Sequence, residues 1–237
     1  MLAKMQVKKI RETERLKTET NKIMAQLETK LLRSQMNPHF IFNSLNSIQK
    51  YIWENKEEDS AEYLAQFAKL IRAILENSRK EFISLKEELD VLKLYIGLEQ
   101  RRSNGKFDYR IFMDEALVPE DILLPPLLLQ PYVENAIWHG VNKKQGHGHI
   151  EINIHQSDHL LEMVIDDDGV GRMRNSVPGN GTGEKTSLGT DITQQRISHL
   201  LNPSSGTGVK IIDKEHDGMP TGTTVIITIP LKYQEYA

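Results

Sequence analysis

Leu31–Ile52 reads LLRSQMNPHFIFNSLNSIQKYI, and the rest of the chain is best understood from it. Beyond Pro38, Ile41, Leu45, Ile48 and Ile52 recur at 4-3-4 spacing, the apolar stripe of a helix that buries one face in a bundle. His39 is off that stripe. At about 100° per residue it falls on the far side of the helix from Ile48, one turn from Asn43 and two from Asn46, and so on a polar face. A histidine held out from a packed helix is a candidate for chemistry done by a visiting active site.

Upstream, residues 1–36 contain neither glycine nor proline and carry nine Lys/Arg against four Glu. Leu16, Thr20, Ile23 and Leu27 continue a 4-3-4 stripe that Lys30 and Ser34 interrupt, so any coiled coil is short. One reading is a solvated leading helix. The other takes Lys4, Lys8, Lys9, Arg11 and Arg15 as the cytoplasmic flank of a membrane helix lying before Met1, which makes the segment a signalling stalk.

Downstream, Glu54–Asp59 is a charged turn, and Asp59 with Glu62 resembles a capping box opening a second helix. Its stripe of Leu64, Phe67, Ile71, Ile74 and Leu75 matches the first, predicting an antiparallel hairpin. Two helices bury too little apolar surface to stand alone, so the hairpin is expected to double into a homodimeric four-helix bundle. Trp53 and Trp138 have helical neighbours and are expected to pack.

A further capping box, Ser84 with Glu87, opens a helix to about Arg102, whose Leu85, Leu89, Leu92, Tyr95, Ile96 and Leu98 suit docking. Asn104-Gly105 ends it. The period then changes from 3.6 to 2, with strands expected at Phe107–Met113, His149–His155, Leu160–Ile165, Val209–Lys214 and Thr223–Pro230. Leu127–His139 and Leu188–Leu201 read as helices. The fold class is therefore α+β: a helical stalk and hairpin, then a two-layer sandwich with helices on one face of a mixed sheet. The domains are 1–30, linker helix; 31–80, hairpin; 81–105, connecting helix; and 106–237, the sandwich.

Composition excludes several classes. The 237 residues are 38% hydrophobic and 27% charged, ordinary for a globular chain of two domains. With no cysteine there is no disulfide, thiolate nucleophile or Cys-type zinc site, and the reducing cytoplasm is the default compartment. A net charge of −3 without a basic stripe disfavours nucleic acid as a partner. No run approaches the roughly 18 apolar residues of a membrane span.

Three stretches of the sandwich converge on one site. In Pro125–Gly140 (PPLLLQPYVENAIWHG), Asn135 is polar within an apolar helix, with Glu134 and His139 beside it; alone, such an Asn caps or cross-links as readily as it binds. Ile165–Gly171 (IDDDGVG) runs a hydrophobic strand into D-x-G-x-G, where glycines admit a ligand to the backbone and a carboxylate can accept from an adenine amino group. Arg172–Ser187, with Pro178, Gly179, Gly181 and Gly183, precedes Leu188-Gly189 at a helix start, a site suited to phosphate. Four histidines, His147, His149, His155 and His159, read as surface residues at a glycine turn and along an edge hairpin. Lys143 and Lys144 are either phosphate-reaching or a solvated pair.

Met36–Asn43 (MNPHFIFN), Leu127–Gly140, Asp167–Gly171, Leu188-Gly189 with Arg196, and Gly222-Thr223 before Val225–Pro230 together closely resemble the LytS-like sensor histidine kinases, over about Leu31 to Leu231. The resemblance implies that His39 is a phosphoacceptor and that the second domain is a Bergerat-type ATP-binding fold. By it, Asn135 matches the residue holding Mg²⁺ on the triphosphate, with His139 beside it. Asp167 matches the carboxylate that reads adenine, Gly169 and Gly171 the adjoining turn, Gly189 the phosphate lid and Thr223 a threonine near the base. ATP and Mg²⁺ are the implied cofactors, and a response-regulator aspartate the implied acceptor.

Some positions depart from common patterns. Phe40 stands where many histidine kinases carry an acid, so the general base is unassigned and Glu134 is a candidate only. Ser187 and Thr190 replace residues of a more glycine-rich phosphate loop. Pro131 occupies the place of the water-activating glutamate of related hydrolytic ATPases, favouring a kinase over an ATPase. Asn43 stands where some families position water for dephosphorylating the regulator. The alternatives are a non-catalytic dimeric scaffold that binds nucleotide, against which intact His39, Asn135 and Asp167 weigh, and a Bergerat ATPase.

Overall fold

In a computed structural model that describes residues 38–54, 57–172 and 207–233, the first helix is α1 (Pro38–Trp53). The chain divides into two compact units, Met1–Leu45 and Asn46–Ala237. In the first, Phe40, Ile41, Ser44 and Leu45 are buried and Phe42 is exposed, so the burial repeats at helical spacing.

In the second unit Ile48 is buried, but Ile52 and Trp53, in the last residues of α1, are 55% and 81% exposed. Ile52 keeps the angular position of the stripe, yet the helix ends one residue later and leaves it exposed. Helix α2 (Glu57–Asn77) begins two residues before Asp59, placing the expected capping box inside the first turn. It buries Tyr63, Phe67, Leu70, Ile71 and Ile74. The buried arc centres on these side chains rather than on Leu64, about 80° away at helical pitch and exposed. Tyr51 and Tyr63 meet with ring centroids 5.8 Å apart, as antiparallel neighbours across a short turn do.

Helix α3 (Leu85–Arg102) has the reciprocal cap expected of Ser84: its side chain accepts from the Glu87 N–H, and the Glu87 carboxylate accepts from the Ser84 N–H at 2.9 Å. Asn104 and Gly105, both at positive φ, end it. All six apolar positions expected to dock are buried, and α2 packs along α3, joined also by Arg101–Glu62 at 2.5 Å.

Ahead of α3, β1 (Ile83–Ser84) pairs with the short β3 (Leu123–Leu124). The main sheet comprises β2 (Phe107–Met113), β4 (Gly148–Ser157), β5 (Leu160–Asp167), β6 (Gly208–His216) and β7 (Met219–Pro230), in the order β2-β4-β5-β7-β6. The β2–β4 pair is parallel and the rest antiparallel, so the sheet is mixed. Because β4 lies between β2 and β5, His149 and His155 belong to an interior strand rather than to the expected edge hairpin.

Burial alternates along the strands. Ile150, Ile152 and Ile154 of β4, Leu161, Met163, Ile165 and Asp167 of β5, and Val225, Ile227 and Ile229 of β7 all face the core. Their register agrees, with Leu161 opposite Ile229, Met163 opposite Ile227 and Ile165 opposite Val225. Each such apolar side chain stabilises by about 1.5–3 kcal/mol, so a one-residue slip that turned the row outward is strongly disfavoured. The opposite face carries Glu151, Asn153 and His155, and the sheet is thus covered on one side, as a two-layer sandwich requires. Leu188–Leu201 and the residues before Pro38 lie outside the described residues, among which no helix is long and apolar enough to cross a membrane.

Gly97, inside α3, has nothing within 4 Å of where a Cβ would stand. Gly97→Ala is expected to stabilise the second unit by about 0.5–1 kcal/mol through helix propensity, read as a higher denaturant midpoint with unchanged slope.

Candidate functional site

Asp167 is the last residue of β5, on the core-facing side and only 4% exposed. Its Oδ1 accepts from the Gly169 N–H at 2.9 Å. Burial pushes its carboxyl up to about 6, against the opposing pull of that N–H and of Lys214.

Around this carboxylate the chain leaves no room for side chains. A Cβ at Gly140 would stand 2.7 Å from Asp167 Oδ1, one at Gly169 would meet the Gly140 backbone, and one at Gly222 would meet the Asp167 carbonyl. Gly171 follows at φ +66°, a conformation that favours glycine. Thr223 lies directly opposite Asp167 in the β5–β7 register, and hence on the same face. Asp167, Gly169, Gly171 and Thr223 are therefore gathered at one strand end. Gly140 and Gly222 complete its wall. Neither is among the site residues expected from the sequence; what announces them is only glycine flanking each motif.

The neighbouring aspartates face the other way. Asp166 is held by Lys214 at 2.6 Å and by the Thr224 hydroxyl. Partial burial would raise the Asp168 carboxyl, but Lys144 at 2.7 Å and the His149 N–H at 2.8 Å keep it below the usual carboxylate range. Lys144 is thus engaged with Asp168.

The segment expected as one helix, Leu127–His139, is three pieces. Leu127 sits at φ +60°, α4 covers only Gln130–Asn135, and the chain then widens into a π turn at Ala136–Gly140 and a 3₁₀ turn at Val141–Lys143. Pro131 suits the first turn, where its missing N–H costs nothing. Glu134 and Asn135 end α4, both half-buried, and His139 is exposed in the π turn. Such turns recur at functional sites. This one brings Gly140 against Asp167 and contacts β5 and β7.

A carboxylate absent from the expected set fixes the start of this segment. Glu88 of α3 is 2% exposed, and accepts from Leu127 N–H at 2.8 Å and Leu129 N–H at 2.9 Å. Burial raises its carboxyl to about 7 despite these donors. Its signal in the sequence was a charged residue inside the apolar stripe of α3, between Leu85 and Leu92. Farther along α3, Arg102 pairs with buried Glu99 at 2.7 Å and stacks on Trp138, 4.0 Å from the ring centroid, so Trp138 packs as expected whereas Trp53 does not.

His39 is the second residue of α1, and half-buried Asn43 stands one turn later. Gly189 lies outside the described residues.

The sequence model of the family described as Histidine kinase matches residues 27–107, which include His39 and all of α3. The sensor histidine kinase/phosphatase LytS of Staphylococcus aureus is 30% identical over 218 residues, 91% of this chain. Residues 27–107 thus match the histidine kinase family, and nearly the whole chain is similar to LytS. The chain spans 36% of the length of that LytS-like relative. Among solved structures, a mycobacterial sensor histidine kinase, MprB, is 18% identical over 65% of this chain and 100% of its own, with a TM-score of 0.44. The histidine kinase domain of a blue-light activated kinase of Erythrobacter litoralis is 19% identical over 70% of this chain and 75% of its own, with a TM-score of 0.46.

Two predictions follow from the buried carboxylates of this LytS-like chain. Asp167 has a folded-state value near 6, above the ordinary 3.8, so its contribution favours the fold below about pH 4 and is lost as pH rises through 6. Asp167→Asn removes that loss. Its stability relative to wild type is expected to rise by about 2–3 kcal/mol between pH 4 and pH 8, measured by urea unfolding at each pH. Glu88→Gln sets an amide donor against the Leu127 or Leu129 N–H and is expected to cost about 1–3 kcal/mol near pH 4.5 in the same assay, the cost shrinking as pH rises towards 7 because the raised carboxyl carries the same loss as Asp167.

Proposed function

We propose that the chain is the kinase region of a two-component sensor, autophosphorylated on His39 from ATP and passing the phosphoryl group to an aspartate of a response regulator. The observation that carries this reading is Asp167: a buried carboxylate kept against stability, walled by Gly140, Gly169 and Gly222, with Thr223 opposite. A cradle that no Cβ can enter suits a flat base whose amino group donates to Asp167. The burial of an ionisable group at a stability cost is what a binding site retains.

In this reading the neutral imidazole of His39 attacks the γ-phosphorus. An N–P bond forms, the bond from phosphorus to the bridging oxygen of ADP breaks, and the imidazole gives up its N–H proton. Alignment supplies most of the rate. An unperturbed imidazole is largely neutral at pH 7, so no special tuning is needed. Mg²⁺ bound with the triphosphate supplies positive charge to the phosphate oxygens. Asn135, at the end of α4 where the helix widens, is the residue that would hold it, with His139 exposed one turn on. Glu134 is the proposed base, Gly169 and Gly171 the backbone turn at the nucleotide, and Gly189 the lid glycine. Asn43 is proposed to serve the reverse reaction, in keeping with the phosphatase named for the LytS relative.

The proposed division of labour follows the sequence: 1–30 links, 31–80 dimerises and carries His39, 81–105 connects, and 106–237 binds nucleotide. The exposed Ile52, Trp53 and Leu64 support a homodimer, since large apolar side chains bared on hairpin helices gain from a second copy. The basic residues before Arg15 support tethering to a membrane sensor, with the kinase region on the cytoplasmic side.

With γ-labelled ATP and Mg²⁺, the wild type is expected to take up an acid-labile, base-stable label. His39→Gln abolishes it, and Asp167→Asn lowers it at limiting ATP. Label retained in His39→Gln would refute the phosphoacceptor, and phosphate release without protein labelling would indicate an ATPase.

A further inference from the structure

Asp108 and His149 are directly opposite one another in the parallel β2–β4 pairing. His147 is two residues before His149, and on an extended chain the i, i+2 spacing puts both imidazoles on one side. All three residues stand on the sheet face turned away from the core, because Phe107 and Ile150, their neighbours in alternation, are buried.

The side chains converge. His149 Nδ1 is hydrogen-bonded to Asp108 Oδ1, and His147 Nε2 lies 3.5 Å from Asp108 Oδ2. The two imidazoles meet edge to face, centroids 5.3 Å apart. One donor atom from each residue falls within 4.8 Å of the others. Ligand atoms about 2.0–2.1 Å from a tetrahedral ion lie roughly 3.3 Å from one another, so small rotamer changes would seat one.

The backbone beneath is fixed independently of these side chains. Gly148, between the histidines, donates to the Lys106 carbonyl at 3.0 Å, and a Cβ there would strike the Val141 side chain at 2.5 Å. The His149 N–H is held by Asp168, whose own N–H donates back to the His149 carbonyl at 3.2 Å. A rigid strand pair presenting two imidazoles and a carboxylate is a prepared donor set rather than three loose surface groups.

We propose that Asp108, His147 and His149 bind one divalent transition-metal ion of the zinc, nickel or copper class. Two nitrogens and one carboxylate oxygen suit these borderline ions, whereas Mg²⁺ and Ca²⁺ prefer oxygen shells. Three protein ligands on an exposed face leave the remaining positions to water.

The test is calorimetric titration of ZnCl₂ into the untagged full chain at pH 7.5 without nucleotide, with Co²⁺ absorption spectra in parallel. The wild type is expected to bind one equivalent, to give a Co²⁺ ligand-field band, and to melt at a higher temperature with zinc. His147→Ala and His149→Ala each weaken binding by at least about tenfold and together abolish the band. His155→Ala, on the same strand and paired with Glu162 at 3.1 Å, leaves it unchanged. The metal-free melting temperatures of the His147 and His149 variants should match the wild type, since those side chains are exposed. Equal zinc affinity in the wild type and the double variant would overturn the site, and so would the lack of a saturable one-to-one step in the wild type.

Discussion

A carboxylate buried at the end of β5, with backbone pressed against it from three directions, is the constraint on which the second unit is built. Gly140, Gly169 and Gly222 each stand where any Cβ would collide with Asp167 or with one another. They come from the π turn after α4, the loop after β5 and the strand β7, so the three parts must arrive together. The β5–β7 register brings Thr223 opposite Asp167, and the same register aligns the apolar rows of both strands. A slip that exposed Asp167 would also expose Ile165, Met163 and Leu161. The hydrophobic core thereby enforces a polar position that is itself unfavourable, the usual arrangement when a strained or buried group serves a ligand.

Helix α3 links α2 to that cradle through polar contacts set within an apolar stripe. Its Leu85, Leu89, Leu92 and Ile96 supply adhesion without direction, while buried Glu88 supplies direction by accepting from the Leu127 and Leu129 N–H groups. Those bonds hold Leu127 in the left-handed region, a conformation that costs of order 1–3 kcal/mol unless its surroundings over-determine it. Glu99, held by Arg102 against Trp138, repeats the device at the other end of the helix. With α2 packed along α3, the start of the Asn135 segment and α2 both rest on the same helix.

Most of the sheet was legible from period-two alternation, and Phe107–Met113 coincides with β2 residue for residue. The Ser84–Glu87 box was legible for the same reason: its residues act on each other and need nothing distant. Leu127–His139 was misread as one helix because its apolar run carries no sign that Glu88, far off in the chain, holds Leu127 at positive φ. Trp53 and Leu64 were expected to pack, but periodicity fixes an angle and not how far a neighbouring element extends. The placement of β4 inside the sheet depends on pairing with β2 across an intervening helix segment, which no local pattern encodes. Of the candidate site, the gathering of Asp167, Gly169 and Gly171 was readable from a strand running into glycines, and the approach of Gly140 and Gly222 was not, since close approach is a property of pairs.

The run Asp166-Asp167-Asp168 shows how one local pattern yields two chemistries. Period-two alternation sends the middle carboxylate inward and its neighbours outward. Outward, Lys214 and Lys144 pair with Asp166 and Asp168, and pairing at a half-exposed surface costs little desolvation. Inward, Asp167 has no ion-pair partner among the described residues and meets only a backbone donor, so burial raises its carboxyl. Three identical residues thus divide into two ion-paired surface clamps and one buried carboxylate with a raised pKa.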